Sequence, residues 1–328
     1  MHREDLRKGA VVDAHDPAMT ASVLFTLGTR GSPLALEQAN ETRRLLAEAH
    51  GWEIERIALQ VIRTSGDRIQ DRPLAEAGGK GLFTKEIDAA LLAGAIDAAV
   101  HSAKDLPSLS PEGVTIAAFL PREDVRDALV SVFADTIEGL PHGATFGAAS
   151  LRRKAQALRL RPDLRPTLLR GNVETRLKKA EAGAVGATLL ALAGLKRLGL
   201  SHRARAVLDL DRFLPAPGQG AIAITARSAD ARALQALEPI SDAATAAAIV
   251  AERAFLAELE GSCRTPIAGL ARLEAGRLQF RGEVLRADGS ERFDIAAESA
   301  PADAERLGRE AGHDLAARLP QGVLVKGG

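Results

Sequence analysis

Hydrophobic positions along this chain alternate between a strand-like period and a helical one. Residues 23–28 form a short apolar run of strand character. Ser32 followed by Pro33 opens a helical pattern to about residue 50, with serine as the cap and proline at the first helical position. Ile57, Leu59 and Val61 alternate as a strand. Thr84 is placed to cap a helix running to Gly94, and 98–100 is a short strand ending in His101-Ser102-Ala103-Lys104-Asp105. After Pro121 the pattern restarts with strands at 128–133 and 145–148 and a helix capped by Ser150. A strand at 167–169, a helix capped by Asn172, a strand at 188–190, another helix and a strand at 207–210 follow. Strands separated by helices predict βαβ units and largely parallel sheets.

Residues 214–220 are dense in Pro and Gly and read as a hinge or crossing segment. The strand at 221–226 comes after the second α/β block, and a return to the first block is one reading of it. From Ser241 the style changes. A helix of roughly 20 residues runs to a stop at Gly261, just before Cys263. Strands with a turn at Asp288-Gly289 come next, and Pro301 opens a final helix. The predicted fold class is α/β: two similar doubly wound α/β domains, plus a small C-terminal α+β domain that carries the cysteine loop. The expected boundaries are 22–120 with 221–238, then 121–220 with hinge segments at both ends, then 239–328. Residues 1–21 mix acidic and basic side chains without the apolar core of a secretory signal, and are expected to be a disordered leader. Met19 is a second candidate start.

Composition narrows the function classes. Lys plus Arg and Asp plus Glu both number 43, a balance that disfavours a generic polyanion binder but not a local basic cleft. Tyr is absent and aromatics are 3%, so platforms for stacking nucleic-acid bases are poorly supplied. A single cysteine makes no internal disulfide and fits a reducing compartment. No apolar run approaches the length of a membrane span. The histidines show no metal-ligand spacing.

The candidate chemistry sits where strands give way to helices. Arg30 and Ser32 follow the first strand; Lys104 and Asp105 follow another; Ser150, Arg152 and Arg153 open a helix, as do Arg170 and Asn172, with Arg176 one turn on. Open α/β sheets bind ligands at such junctions, and helix N-termini favour anions. Each arginine alone is as readily half of a surface ion pair. Gly78-Gly79-Lys80-Gly81 lacks the spacing and following Ser or Thr of a phosphate loop, and reads as a turn or a lid. Asp105 has two readings: a turn cap paired with Lys104, or a carboxylate held ionised in a basic cleft to stabilise a developing cation. His101 reads as a packing or locally bonded histidine. Cys263 either packs as a small hydrophobe or reacts.

Taken together, ordered motifs in the chain resemble the porphobilinogen deaminases, also called hydroxymethylbilane synthases. They are Gly-Thr-Arg-Gly-Ser-Pro-Leu-Ala at 28–35, Gly-Lys-Gly-Leu-Phe-Thr-Lys-Glu at 79–86 and His-Ser-Ala-Lys-Asp-Leu-Pro at 101–107. Next come Ser-Leu-Arg-Arg at 150–153, Arg-Gly-Asn-Val-Glu-Thr-Arg-Leu at 170–177 and Leu-Lys-Arg-Leu-Gly at 195–199. Pro-Gly-Gln-Gly-Ala at 217–221 and the cysteine loop at 259–266 complete the set. The resemblance implies first and second domains like those of two-lobed periplasmic binding proteins. It also implies a transferase that joins four porphobilinogen molecules head to tail, releasing ammonia, into hydroxymethylbilane for tetrapyrrole and haem synthesis.

By the same resemblance Cys263 anchors a dipyrromethane cofactor through a thioether, and the growing chain extends from it. Each pyrrole carries an acetate and a propionate, so the cleft must neutralise many carboxylates. Lys104, Asp105, Ser150, Arg152, Arg153, Arg170 and Asn172 are then expected around the cofactor. Arg30, Ser32, Lys80, Phe83, Arg176, Arg197 and Gln219 are expected around the substrate, with Phe83 against pyrrole rings and Gln219 lining the cleft. Asp105 is the expected catalytic residue, contacting pyrrole N–H groups and stabilising the cationic azafulvene left when ammonia departs. The resemblance further implies a cytoplasmic monomer, without nucleic acid, membrane or metal, that passes its product to uroporphyrinogen-III synthase. Some residues depart from the family pattern: Ser262 stands where glycine is usual, Ala148 and Ala149 replace hydroxyl residues, Lys154 replaces Gln, and 1–21 has no counterpart. A two-lobed anion-binding protein without catalysis, and a phosphate-backbone binder, are the competing readings.

Overall fold

A computed structural model describes residues 22–68, 81–259 and 265–324. The leader at 1–21, Gly78, Gly79, Lys80, Gly261, Ser262 and Cys263 lie outside the described residues. In chain order the first elements are β1 (Phe25–Thr29), α1 (Pro33–His50), β2 (Ile57–Val61), α2 (Ser65–Arg68), α3 (Lys85–Leu92), β3 (Ala98–Ser102) and β4 (Val114–Phe119). The middle of the chain forms β5 (Asp127–Ser131), β6 (Thr145–Gly147), α4 (Leu151–Leu160), β7 (Arg165–Thr167), α5 (Val173–Glu181), β8 (Ala187–Ala191), α6 (Leu192–Arg197) and β9 (Ala206–Val207). Then come β10 (Ile222–Arg227), α7 (Ala231–Leu237), α8 (Ala243–Glu258), β11 (Ile267–Glu274), β12 (Arg277–Leu285), β13 (Arg292–Ser299) and α9 (Ala304–Arg318).

Among the described residues these strands make a sheet of order β2-β1-β3-β10-β4, a second of order β7-β6-β8-β5-β9 and a third of order β11-β12-β13. The first two form separate α/β lobes. Strand β10 returns to the first lobe and pairs antiparallel with both β3 and β4. Likewise β5 runs antiparallel to β8 and β9. The sheets are therefore mixed, not largely parallel. The reason is connectivity: β5 and β10 are each entered by a segment crossing from the other lobe, not by the right-handed helical crossover that enforces parallel pairing.

Local signals explain the elements that frame the cleft. The Ser32 hydroxyl accepts from the Ala35 N–H at 3.3 Å and caps α1. Ser150 caps α4 through the Arg153 N–H, and Asn172 caps α5 through the Thr175 N–H. Thr84 occupies the start of α3 but makes no capping bond to the backbone; Gly81 O takes the Lys85 N–H instead. Asp242 caps α8 by accepting from the Thr245 N–H, and the neighbouring Ser241 hydroxyl accepts from Phe119 N. That helix ends at Glu258, short of Gly261. The ladder of β7 stops at Thr167, because Leu169 turns its side chain into the core instead of continuing the pairing. Only two residues of the 207–210 region's neighbourhood pair as β9, at 206–207.

Each sheet has its own apolar filling. Phe25, Leu27, Leu46, Ile57, Leu120 and Ile224 are buried in the first lobe. Leu129, Phe146, Leu164 and Phe213 pack in the second. In the third, Phe255 of α8 meets Phe280 of β12 with ring centroids 4.9 Å apart. Gly308 lets α9 lie directly on α8, since a Cβ there would sit 2.0 Å from Ala251 O.

The crossing segments are tied to α8 by one buried carboxylate. Glu252, 0% exposed, accepts from Arg122 at 2.6 and 3.0 Å, from Gly218 N at 2.6 Å and from Ala271 N at 2.8 Å. It thus joins the outward crossing, the return crossing and β11. A buried charge so fully bonded is destabilising to break and only weakly stabilising to have.

Candidate functional site

The first lobe presents its polar groups where β1 and β3 end. Arg30 follows β1, and its guanidinium lies over the Phe83 ring at 4.1 Å. Its Nη1 is 4.0 Å from Asp105 Oδ2, with both side chains partly accessible to water. Lys104 and Asp105 occupy a one-turn 3-10 helix that terminates β3. The backbone of this turn is pressed by the return crossing: Gly218 has φ 80°, and a Cβ there would lie 2.8 Å from Lys104 N. Only glycine satisfies both conditions. Ser32, Gln38, Ser102, Phe83, Arg30 and Asp105 line a small pocket at this point. Gln38 Nε2 donates to Ser102 Oγ at 2.9 Å, which fixes one wall of it.

The second lobe contributes arginines from helix starts. Arg153 donates to Asp127 Oδ1 through Nη2 at 2.7 Å and Nε at 3.2 Å, and through Nη1 to Leu189 O at 3.0 Å. Arg176 donates through Nε to Gly171 O at 2.8 Å. Lys104 lies within electrostatic reach of Arg153, Asp105, Asp127 and Arg152. Arg176 lies within reach of Arg153, Asp105 and Arg170. Lys104 of one lobe is therefore within reach of Arg152 and Arg153 of the other, and Asp105 within reach of Arg176.

This cluster carries excess positive charge. Desolvation deep between the lobes, with the Arg153 charge, pushes the Lys104 ammonium down to about 8. By area Lys104 is exposed at the cleft mouth, although protein surrounds it on several sides; burial is the larger cause of the shift and the Arg153 charge adds to it. Arg176, by burial and then by Arg153, is lowered to about 10. Two depressed bases that share Arg153 as a repelling neighbour mark a potential that an anion would relieve. His101, buried on β3 with its ring nitrogen 3.2 Å from Thr225 Oγ1, is held down to about 4 by burial and by Arg30. It is neutral at pH 7.

Other expected residues are placed differently. Gln219 does not line an open cleft: it is 0% exposed, and its amide donates to Val125 O at 2.8 Å and Asp127 Oδ1 at 3.0 Å. Arg152 is buried and turned inward, bonded to Asp127 Oδ2, Gln156 Oε1 and Leu214 O, each at 2.8 Å. Arg197 joins the lobes, donating to Glu41 at 3.0 Å and to Gly220 O at 3.3 Å. The hydroxyls of Ser32 and Ser150 and the Asn172 carbonyl are capping acceptors. Lys80 and Cys263 lie outside the described residues.

Asp127, Gln156 and Glu283 were not singled out from sequence. Burial would raise the Asp127 carboxyl, but Arg152 and Arg153 outweigh it and hold the group well below the usual range. Glu283 is pushed up by burial, against a bond from Gln156 at 2.5 Å. A charged residue opening an apolar strand, as Asp127 does, was the available signal. A wider cavity lies elsewhere, between the outward crossing and the face of β11–β13. It mixes Arg126, Asp209, Arg272 and Glu298 and contains none of the convergent cations, so the chemistry is assigned to the smaller pocket.

Two α/β lobes closing cations around one accessible carboxylate define a protein that receives a polyanionic small molecule between them. Comparison narrows this class. The family model described as porphobilinogen deaminase, dipyromethane cofactor binding domain, matches residues 25–235, and that of the porphobilinogen deaminase C-terminal domain matches 246–317. The chain belongs to the porphobilinogen deaminase family. It is 57% identical to a porphobilinogen deaminase of Nitrobacter winogradskyi, over 90% of this chain and 94% of that one. It is 53% identical to one from Paracoccus denitrificans, with the same coverage. Among solved structures, a periplasmic substrate-binding protein of an ABC transporter from Coxiella burnetii aligns with TM-score 0.41 and 13% identity, over 66% of this chain and 92% of that one.

Proposed function

We propose that this protein polymerises porphobilinogen into hydroxymethylbilane on a dipyrromethane primer held by Cys263, with Asp105 as the catalytic residue. The observation that carries the site assignment is the meeting of Lys104 and Asp105 with Arg153 and Arg176 across the lobes. When bound, the dipyrromethane supplies the nucleophilic pyrrole carbon to which the first substrate is added. The depressed bases fit such a group, because its side-chain carboxylates supply the missing negative charge.

Arg30, Lys104, Arg153, Arg170 and Arg176 bind carboxylates and so orient the rings. Asp105, partly accessible, accepts pyrrole N–H bonds and opposes the positive charge that grows as ammonia leaves the substrate. Phe83, braced by Arg30, packs on a ring face. Ser32, Ser150 and Asn172 keep their helix N-termini aimed at the cleft, with hydroxyl or amide hydrogens directed to carboxylates. Lys80 adds a further cation. Arg152, Arg197 and Gln219 hold the lobes and the hinge in register, which is how they serve cofactor and substrate. The protein acts as a cytoplasmic monomer and passes its product to uroporphyrinogen-III synthase. No helix among the described residues is long and apolar enough to cross a membrane. The domains are 22–120 with 221–238, 121–220 and 239–328.

Intact mass tests this directly. The purified chain should exceed its sequence mass by two linked pyrroles, and Cys263→Ala should abolish the excess. A native, unmodified protein that does not consume porphobilinogen would overturn the reading.

A further inference from the structure

We propose that Asp127 is a positioning residue that couples the hinge between the lobes to the cation cluster of the cleft. The inference rests on the proposed function, and concerns how Arg153 is kept in place to serve it. Asp127 is fully buried at the first residue of β5, directly after the outward crossing. Its Oδ1 accepts two bonds from Arg153 and one from the Gln219 amide. Its Oδ2 accepts from Arg152. The Gln219 amide also donates to Val125 O. One carboxylate at the head of β5 therefore touches the return crossing and the start of α4, and Gln219 carries the link on to Val125 of the outward crossing.

The amide orientation of Gln219 follows from the chemistry. Turned over, its oxygen would face the Asp127 carboxylate and the Val125 carbonyl, three acceptors together. The Gln219 oxygen has no hydrogen-bond partner in its present position, so those two donated bonds are what retain the side chain. Rotation of the lobes about the crossings must pull on them, and through Asp127 on Arg153.

Charge makes the same residue selective. Two guanidiniums against one carboxylate leave a net positive charge. Both guanidiniums lie within reach of Lys104, but Arg152 is tied further to Leu214 O and Gln156, whereas Arg153 also acts on Arg176. Asp127 thus keeps Arg152 on the hinge and presents Arg153 at the cleft.

The test uses the full chain. Asp127→Asn keeps the shape and removes the charge; Asp127→Glu restores the charge. Priming of cofactor-free protein by porphobilinogen is followed by intact mass, and steady-state kinetics are measured alongside. Asp127→Asn should slow priming and raise KM roughly 10- to 100-fold, the range in which an outer partner of a liganding group acts, with Glu recovering part of it. Because Asp127→Asn can fail to fold, Gln219→Met is the second variant; it leaves both Arg–Asp127 pairs in place. It should fold, still carry its two-pyrrole mass, raise KM, and shift the Arg153 Nε–H signal in arginine-labelled NMR spectra. Normal priming and KM in a folded Asp127→Asn protein, or an unmoved Arg153 signal and unchanged KM in Gln219→Met, would overturn the proposal. Wild-type protein lacking the pyrrole mass would instead overturn the functional reading beneath it.

Discussion

The two lobes hold their cations in opposite ways. In the first, Arg30 and Lys104 stand at strand ends where water reaches them; Arg30 lies over the Phe83 ring and makes a loose contact with Asp105 at 4.0 Å. In the second, Arg152 and Arg153 are buried and bonded from behind by Asp127. The difference teaches a division of labour. Accessible groups can follow a ligand that changes length; clamped ones give it a fixed frame. A cleft made only of loose cations would lose side-chain entropy at every contact, and one made only of clamped cations could not follow an elongating chain.

The sharpest way to break this comparison is at Asp105. Asp105→Ala should lower turnover roughly 10²- to 10³-fold while the thermal midpoint and carboxylate binding are retained; near-normal turnover would refute its role. The next test sets the lobes against each other. Arg153→Met removes charge-assisted bonds from a buried site and should destabilise the protein by about 1.5–3 kcal/mol. Arg30→Met should stay within about 1 kcal/mol of wild type, as exposed pairs do, yet raise KM. Equal losses of stability in denaturant titrations of the two variants would erase the distinction.

Smaller effects sharpen it. Ser32→Ala and Ser150→Ala each remove a cap and should each cost about 1 kcal/mol, one in each lobe. A much larger loss at Ser150 would mean that it does more than cap. Finally, the Lys104 ammonium is charged below about 8 and neutral above. KM for porphobilinogen should therefore rise as pH passes upward through about 8, and Lys104→Met should flatten that part of the profile. The sign for stability is opposite. A base depressed from 10.5 binds fewer protons folded than unfolded between about 8 and 10.5, so its contribution to stability grows across that window as pH rises.

Much of this was legible in the chain. The caps Ser32, Ser150 and Asn172 act over three residues, so local sequence suffices to find them. The sheets alternate with helices as their periodicities require, and the ordered motifs carried the family. Placement of the arginines was not legible. Arg152 and Arg153 are neighbours with the same chemistry, and which one faces the cleft depends on Asp127, Gln156 and Leu214, the last more than sixty residues away. The resemblance placed Gln219 on the cleft; its burial follows from contacts with Val125 on the opposite crossing and with Asp127 at the head of β5.

By itself, then, the sequence determined the alternation of elements, the helix starts, the set of cations and the lone Asp105 beside Lys104, all properties of short stretches. Only the tertiary structure decided strand direction in β5 and β10, the inward turn of Arg152, and the clamp at Asp127. Those depend on pairings between segments far apart in the chain, and a buried charge takes whichever partner the fold brings within reach.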